Sequence, residues 1–549
     1  MSLLGIDETL LRIVSLGSLA VALLLSGFVL VRFGDDEDGL VAGLRERFVY
    51  GVPWGTVIVV LAVYAIYYLV QGGGRDGGPI VVGFRSWSLL YPQSILFSSF
   101  THASESHLMG NLFGTVAFAP IAEYAWGHYA RQDDTSGPAG DRLGEWAETP
   151  SARIALFVLA VFLAGIVGAL IVPGAVIGFS GVVFALAGFA LVTAPIATVL
   201  AIVGVQVLKL LYRSVTDPWI VAASQERFIR PSWADVAIQG HLYGLVVGVL
   251  LAALFLRYRG QSPNIRHVFF AALVFTVSRS LQSIYWFLGN ERYVLFQALG
   301  TAGVLVLSTL VALAVLDSDR TLLSRIDLEL GEVGVGLLLC LVLALALIGI
   351  PFNLVSVSGG EELDDGIEIR DYTVTYAENV PDRYISKLSL PAYQGAAVNV
   401  SGVIVASERR NIWEQRVPAG ELASRGSATV VVGDATWRET VRVGRTTWSV
   451  AGGNRTYKIF GEHDGDRELL FVAEPAIASP VINGTRVAIQ PTPEAYDVVV
   501  FENQSVLGNA QIPPDGGNVT VAEITFERDG KVLVATYERT ELPVARFER

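Results

Sequence analysis

The chain has 549 residues, 52% of them apolar, and a mean hydropathy of +0.50. Soluble domains do not reach that value, so the composition points to a membrane protein. A net charge of −13 argues against nucleic acid as a partner. Four of the 39 basic residues are lysines (Lys209, Lys387, Lys458 and Lys531), and the acidic, arginine-rich balance suits a salt-adapted, high-GC microbe. A single cysteine, Cys340, leaves no intrachain disulfide and no cysteine metal cluster.

Apolar runs of spanning length follow one another at 9–32, 54–71, 106–127, 152–172, 178–195, 196–213, 234–257, 267–289, 293–316 and 332–357. The first lacks a positive leader and a small-residue cleavage site, so it reads as a transmembrane helix, not a signal peptide. Only Pro195 punctuates the adjoining pair at 178–213. After Val357 the character changes. The Gly- and acid-rich Ser358–Asp365 reads as a linker. Strand-like runs then stand between turn signals: Ala396–Ala406, Ala428–Val432, Asp497–Glu502 and Lys531–Tyr537. One or two β-sandwich domains are expected there.

The tail holds five Asn-X-Ser/Thr sequons, at Asn399, Asn454, Asn483, Asn503 and Asn518, and the first 357 residues hold none. The asymmetry suggests a tail facing outside, with glycosylation possible at those asparagines. Ten spans then put the N-terminus outside as well. Arg45, Arg47, Arg257, Arg259 and Arg266 fall inside, as the positive-inside rule prefers, while Arg213, Arg227 and Arg230 dissent. The acidic run Asp35–Asp38 reads as a solvated loop.

Three polar clusters interrupt the spans, and polar groups at membrane depth default to functional hypotheses. In HLMGN, His107 and Asn111 share one helix face. In GFSG, Ser180 opens a span between Gly178 and Gly181, which allow a tight turn. In GHLYG, His241 lies about two turns into its span, followed by Gly244 and Gly248 on a face suited to close packing. In the topology set by the tail, all three spans enter from outside, so the clusters share the outer half of the membrane. A serine needs a base, and the oxyanion it creates needs donors. Ser180, His241, the Ser180 backbone N–H, His107 and Asn111 would supply all of these. Singly, each cluster also has a packing or helix-capping explanation.

GFSG, the downstream HLYGLVVG and the upstream HxxxN together resemble the rhomboid intramembrane serine proteases, over roughly 54–257. The resemblance implies a six-helix core with Ser180 as nucleophile, His241 as general base, and His107 and Asn111 as oxyanion stabilisers. It implies supporting roles for His102 in the loop before the second core helix and for Glu123 as a structural acid. Phe184 stands where the family carries a tyrosine stacked on the histidine, and Gly188 and Gly244 match packing glycines. Two departures stand out: Tyr91–Pro92–Gln93–Ser94 occupies the place of a Trp-Arg pair, and the loop 128–151 is long and charged.

The expected architecture is an all-α polytopic bundle with a C-terminal β-rich domain. It comprises an extra helix and loop (1–53), the rhomboid-like core (54–257), three further helices (258–357) and an extracellular domain (358–549). The expected activity is endoproteolysis of transmembrane segments in the cell membrane, with membrane proteins and the lipid bilayer as partners and no metal or other cofactor. The alternatives are an inactive rhomboid-like protein that binds membrane clients, and a transporter. The apolar inner halves of the spans speak against a transporter.

Overall fold

The computed structural model describes residues 8–33, 37–130, 146, 148–218, 231, 233, 237–289, 292–316, 321–323, 328–356, 366–384, 398–503 and 505–548. The linker Ser358–Asp365 and the dissenting Arg227 and Arg230 lie outside them. The chain divides into a helical unit within the first 355 residues and a β unit made mainly of residues from Ser356 onward.

Among the described residues, twelve helices build the first unit: α1 Glu8–Phe33, α2 Glu37–Arg47, α3 Trp54–Ala65 (continued by a π turn, Ile66–Val70), α4 Pro92–Ser98, α5 Glu105–Trp126, α6 Pro150–Ile171, α7 Ser180–Thr193, α8 Pro195–Thr216, α9 Ile238–Tyr258, α10 Ile265–Ser278, α11 Gln297–Ala314 and α12 Leu330–Leu354. Among the described residues, six of them (α1, α6, α8, α9, α11 and α12) are long and apolar enough to cross a bilayer. Each expected apolar run contains one helix. The break before Pro195 is real: proline opens α8, where its missing N–H costs nothing.

The run expected at 267–289 is helical only to Ser278. Ser280 takes a left-handed φ of 59°, and the aromatic Tyr285–Gly289 pairs as a strand with Arg292–Leu295. The polar stretch Arg279–Ser283 supplies the break, and the aromatic residues beyond it favour a strand.

Helix α7 is the axis of the unit. Its 14 residues rise about 21 Å, short of the roughly 30 Å of a bilayer core, yet most of them are buried. Glycines bring its neighbours to backbone contact. A Cβ on Gly244 of α9 would overlap the Gly181 carbonyl oxygen, and one on Gly248 the Ala185 carbonyl oxygen. From the other side, a Cβ on Gly188 would overlap the Leu245 carbonyl oxygen. On α5, a Cβ on Gly114 would come 2.7 Å from Val183 Cγ1. Apolar helices in lipid gain little from hydrophobic burial against each other, so this close packing is what holds them.

Among the described residues from Ser356 onward, the β unit contains three antiparallel sheets. The first is β1 Ile367–Ile369, β2 Tyr372–Pro381, β3 Asn399–Ser407 and β4 Ile412–Pro418, in chain order. The eight-stranded sheet is ordered β8-β7-β6-β16-β15-β14-β13, with β5 also on β6. It is built from β5 Ser427–Gly433, β6 Arg438–Val450, β7 Arg455–His463, β8 Asp466–Val472, β13 Asn518–Val521, β14 Ile524–Asp529, β15 Val532–Tyr537 and β16 Thr540–Glu548. The third is β9 Ala476–Ile482, β10 Thr485–Pro491, β11 Tyr496–Glu502 and β12 Ser505–Gln511. Trp448, Ile489, Val500, Phe526 and Leu533 share one core between the last two sheets, a sandwich. Four sequon asparagines (Asn454, Asn483, Asn503 and Asn518) are exposed. Asn399 is half-buried, and its Nδ2 donates to Asn379 Oδ1 at 3.1 Å, which ties up the atom a glycan would occupy.

Arg410 ties the first sheet to the second. It donates to Asp371 (2.5 and 3.1 Å) and to Asp434 (3.1 Å), and Trp437 Nε1 also donates to Asp434 at 2.9 Å. Burial pushes both carboxyls up. At Asp371 the Arg410 bonds and charge outweigh it, and at Asp434 the Thr436 bonds followed by Arg410 do so, holding both below the usual value.

A carboxyl lowered in the folded state stabilises above its unfolded value near 4, and that stability is lost as pH falls through the folded value. Arg410→Met should therefore cost about 2–3 kcal/mol at pH 7 and flatten the acid destabilisation of the tail. Urea unfolding of the full chain at pH 7 and pH 3, read by hydrogen exchange in the tail strands, measures both. In the helical unit, Gly244→Val should cost about 3 kcal/mol. Gly204→Ala, on α8 with open space around it, should be neutral or mildly stabilising. Thermal unfolding in detergent compares the two.

Candidate active site

Ser180 is the first residue of α7, so its backbone N–H has no partner within the helix. The turn before it is set by Gly178, whose φ of 118° favours glycine. This turn is held from several sides. Gly178 N donates to Ser98 O at 2.9 Å, and Phe179 N donates to His102 Nε2 at 3.4 Å. Ser86 exchanges bonds with Val176, and Arg85 Nη1 donates to Ala175 O at 3.1 Å.

His107 and Asn111 converge on the same turn from α5. A Cβ on Gly178 would lie 2.6 Å from His107 Cε1 and 3.6 Å from Asn111 Nδ2. Asn111 Nδ2 is buried and has no hydrogen-bond partner, so it is a donor held in reserve. His102 packs edge-on to His107, with ring centroids 5.2 Å apart. Its backbone N–H donates to the buried Gln71 Oε1 (2.7 Å), and Gln71 Nε2 returns a bond to His102 O (3.1 Å).

His241 stands one turn into α9, which begins at Ile238; two turns were expected, and 234–236 lie outside the described residues. Its ring stacks on Phe184, with centroids 4.1 Å apart and planes 10° from parallel. Phe184 is braced in turn by Phe275 of α10, edge-on at 5.0 Å. A Cβ on Gly181 would lie 3.4 Å from Gly240 O, so the residues following Ser180 and preceding His241 touch through backbone. No hydrogen bond joins Ser180 to His241, and His241 Nδ1 is buried without a partner. Catalytic hydrogen bonds are often long before substrate arrives. A cleft of about 40 Å³ opens beside Ser180, walled by small residues including Gly165, Gly168, Gly181 and Gly240, with Tyr243.

Glu123 lies twelve residues past Asn111, about 18 Å along the axis, and serves the opposite end. Its carboxylate accepts from Gly55 N (2.7 Å), Thr56 N (2.8 Å), Thr56 Oγ1 (2.7 Å) and His128 Nε2 (2.6 Å). It therefore caps the N-terminus of α3, where the helix dipole favours an anion. Val49 N donates to His128 Nδ1 at 3.0 Å, which fixes the tautomer and leaves Nε2–H as the donor to Glu123. Arg47, Arg153 and Arg259 donate to the last carbonyls of α5 and to Gly127.

Several of these residues escape sequence reasoning. Gln71 and His128 are isolated polar residues with no motif around them. Arg85 and Trp87 stand before the stretch where a Trp-Arg pair was sought. Trp87 is buried, with its Nε1 donating to Val82 O at 2.6 Å.

Fold and site together define a multi-pass membrane helix bundle that holds a serine, a histidine and unpaired polar donors at one end. Residues 143–258 match the Rhomboid domain family model, so over that stretch this membrane helix bundle is similar to the rhomboid family. The match spans Ser180 and His241 and leaves His102, His107, Asn111 and Glu123 outside it. No curated protein and no solved structure matches the chain.

Glu123→Gln replaces an acceptor with an NH2 facing donors, and should cost about 2–4 kcal/mol. Ser180→Ala should stay within about 0.5 kcal/mol of the parent. Thermal midpoints in detergent test the contrast, which would vanish if Glu123 belonged to the reaction centre and not to the scaffold.

Proposed function

We propose that the protein is an intramembrane serine endopeptidase that cleaves transmembrane segments of other membrane proteins. The observation that carries this reading is the convergence of Ser180, His241 on its Phe184 platform, and the donors of His107 and Asn111 on one glycine turn. Ser180 Oγ attacks the scissile carbonyl carbon while His241 takes its proton. The resulting oxyanion is stabilised by the Ser180 N–H with Asn111 Nδ2 and His107. Collapse expels the amine, which receives the proton from His241 and leaves an ester on Ser180. Water, deprotonated by His241, then hydrolyses the ester and restores the serine. The substrate helix must unwind first, because its carbonyls are bonded internally.

In this reading the core is 54–257, with His102, Gly178 and Gly181 shaping the turn and Gly188, Gly244 and Gly248 setting helix distance. The three helices of 258–357 carry the domain of 358–549 to the outer face, where Asn454, Asn483, Asn503 and Asn518 are open to glycosylation. A second reading, a client-binding protein without catalysis, draws on the missing Ser180–His241 hydrogen bond.

Reconstituted in liposomes with a transmembrane substrate, the parent chain should cut, and Ser180→Ala and His241→Ala should lose on the order of 10³-fold or more in rate. Phe184→Ala, which removes the platform, should lose about tenfold. A parent chain that binds substrate and leaves it whole would favour the client-binding reading.

A further inference from the structure

The helices α10 and α12 lie beyond the stretch that matches the rhomboid family model, yet both reach the site. Near the end of α12, Asn353 is fully buried. Its Nδ2 donates to Val172 O at 3.0 Å and to Leu170 O at 3.3 Å, where α6 ends. Its own carbonyl oxygen accepts from Leu89 N at 2.8 Å and from Ser88 Oγ at 3.1 Å. One turn earlier, a Cβ on Gly349 would overlap the Ile171 carbonyl oxygen, so α12 meets the end of α6 through backbone. The segment held here runs on to the serine. Val172, Val176 and Gly178 wall the cleft beside Ser180. Ser86, two residues before the Ser88 that bonds Asn353, exchanges bonds with Val176.

Phe275 of α10 stands in the same relation to the histidine. Its buried ring lies edge-on to Phe184 at 5.0 Å and to Phe118 at 5.6 Å. Phe184 carries the His241 ring. Phe118 follows Asn111 by seven residues, on the same face of α5. One side chain therefore touches both the support of the histidine and the helix that bears the polar donors.

Ordinary explanations cover part of this. The last carbonyls of a helix need donors, and a buried phenylalanine fills a core. Capping alone does not favour an amide at 353, because Oδ1 is buried with no hydrogen-bond partner among the described residues, and an unmet acceptor is costly. Packing alone is served as well by an aliphatic side chain, which lacks the edge that an aromatic ring presents to Phe184.

We propose that α10 and α12 are parts of the reaction site as well as supports for the tail. Phe275 is a positioning residue for His241, and Asn353 is a positioning residue for the cleft wall Val172–Gly178. This rests on the protease reading. The working unit then extends over residues 54–354, beyond the core at 54–257.

The test uses the full chain in liposomes. A fluorophosphonate probe, which labels an activated serine, is applied first, with Ser180→Ala as the blank. A transmembrane substrate then gives kcat and KM. Phe275→Leu should slow labelling and lower kcat about threefold, with KM held. Asn353→Leu should show the opposite split, raising KM about tenfold and changing kcat less. Gly334→Ala controls for lost stability. Its Cβ would lie 2.5 Å from Ala314 N, about 28 Å along α12 from Asn353. It should lower the thermal midpoint and leave kcat and KM at the parent's values, all measured well below the lowest midpoint. Opposite splits from the two site variants support the proposal. Two variants that match the parent, or that lose activity in the same pattern as Gly334→Ala, overturn it while the protease reading stands. A parent chain that neither labels nor cuts sinks the protease reading, and both positioning roles with it.

Discussion

The close approach of α7 and α9 is the contact on which the rest of the helical unit depends. Gly188, Gly244 and Gly248 let two backbones meet where any side chain would collide with a carbonyl oxygen. That approach sets Ser180–Gly181 against Gly240–His241, and it makes Phe184 available as a flat support for the imidazole. In lipid, where burying apolar surface gains little, such packing replaces the hydrophobic effect as the source of order. A serine and a histidine held this way are positioned by main chain, which moves less than side chains do.

The two ends of the bundle treat polar groups in opposite ways. Around Glu123 the carboxylate is fully answered: four donors meet it, His128 has a partner on each nitrogen, and arginines satisfy the end of α5. Around Ser180 valences are left open, at His102 Nδ1, Asn111 Nδ2 and His241 Nδ1. Unmet buried polar groups are expensive. A scaffold that satisfies one end so thoroughly offsets the cost of keeping donors free at the other. The same contrast sets the fully bonded Glu123 apart from the polar groups near Ser180 without any appeal to motif.

The tail follows ordinary soluble rules. Its strands alternate buried and exposed positions, two of its sheets share one core around Trp448 and Phe526, and the Arg410 ion pairs sit at a sheet junction. The expected strand at Ala428–Val432 appears as Ser427–Gly433, and that at Asp497–Glu502 as Tyr496–Glu502. Period-two patterning is a local signal, so these were readable in advance. The pairing of Arg410 with Asp371 and Asp434, 39 and 24 residues away, was not.

By itself, the sequence determined the membrane class, the helix in each apolar run, the switch to a β-rich tail after Val357, and the three polar clusters, because hydropathy, period and turn residues act over a few neighbours. It misplaced the end of the run at 267–289, where a left-handed Ser280 and aromatic pairing override hydropathy. Only the tertiary structure decided which polar residues meet. Gln71 holds His102, His128 completes the bonding of Glu123, and Phe275 braces Phe184 from a helix outside the expected core. Such contacts depend on how helices pack across long stretches of chain. Glycine-to-backbone approach sets that packing, and no local pattern in the sequence records it.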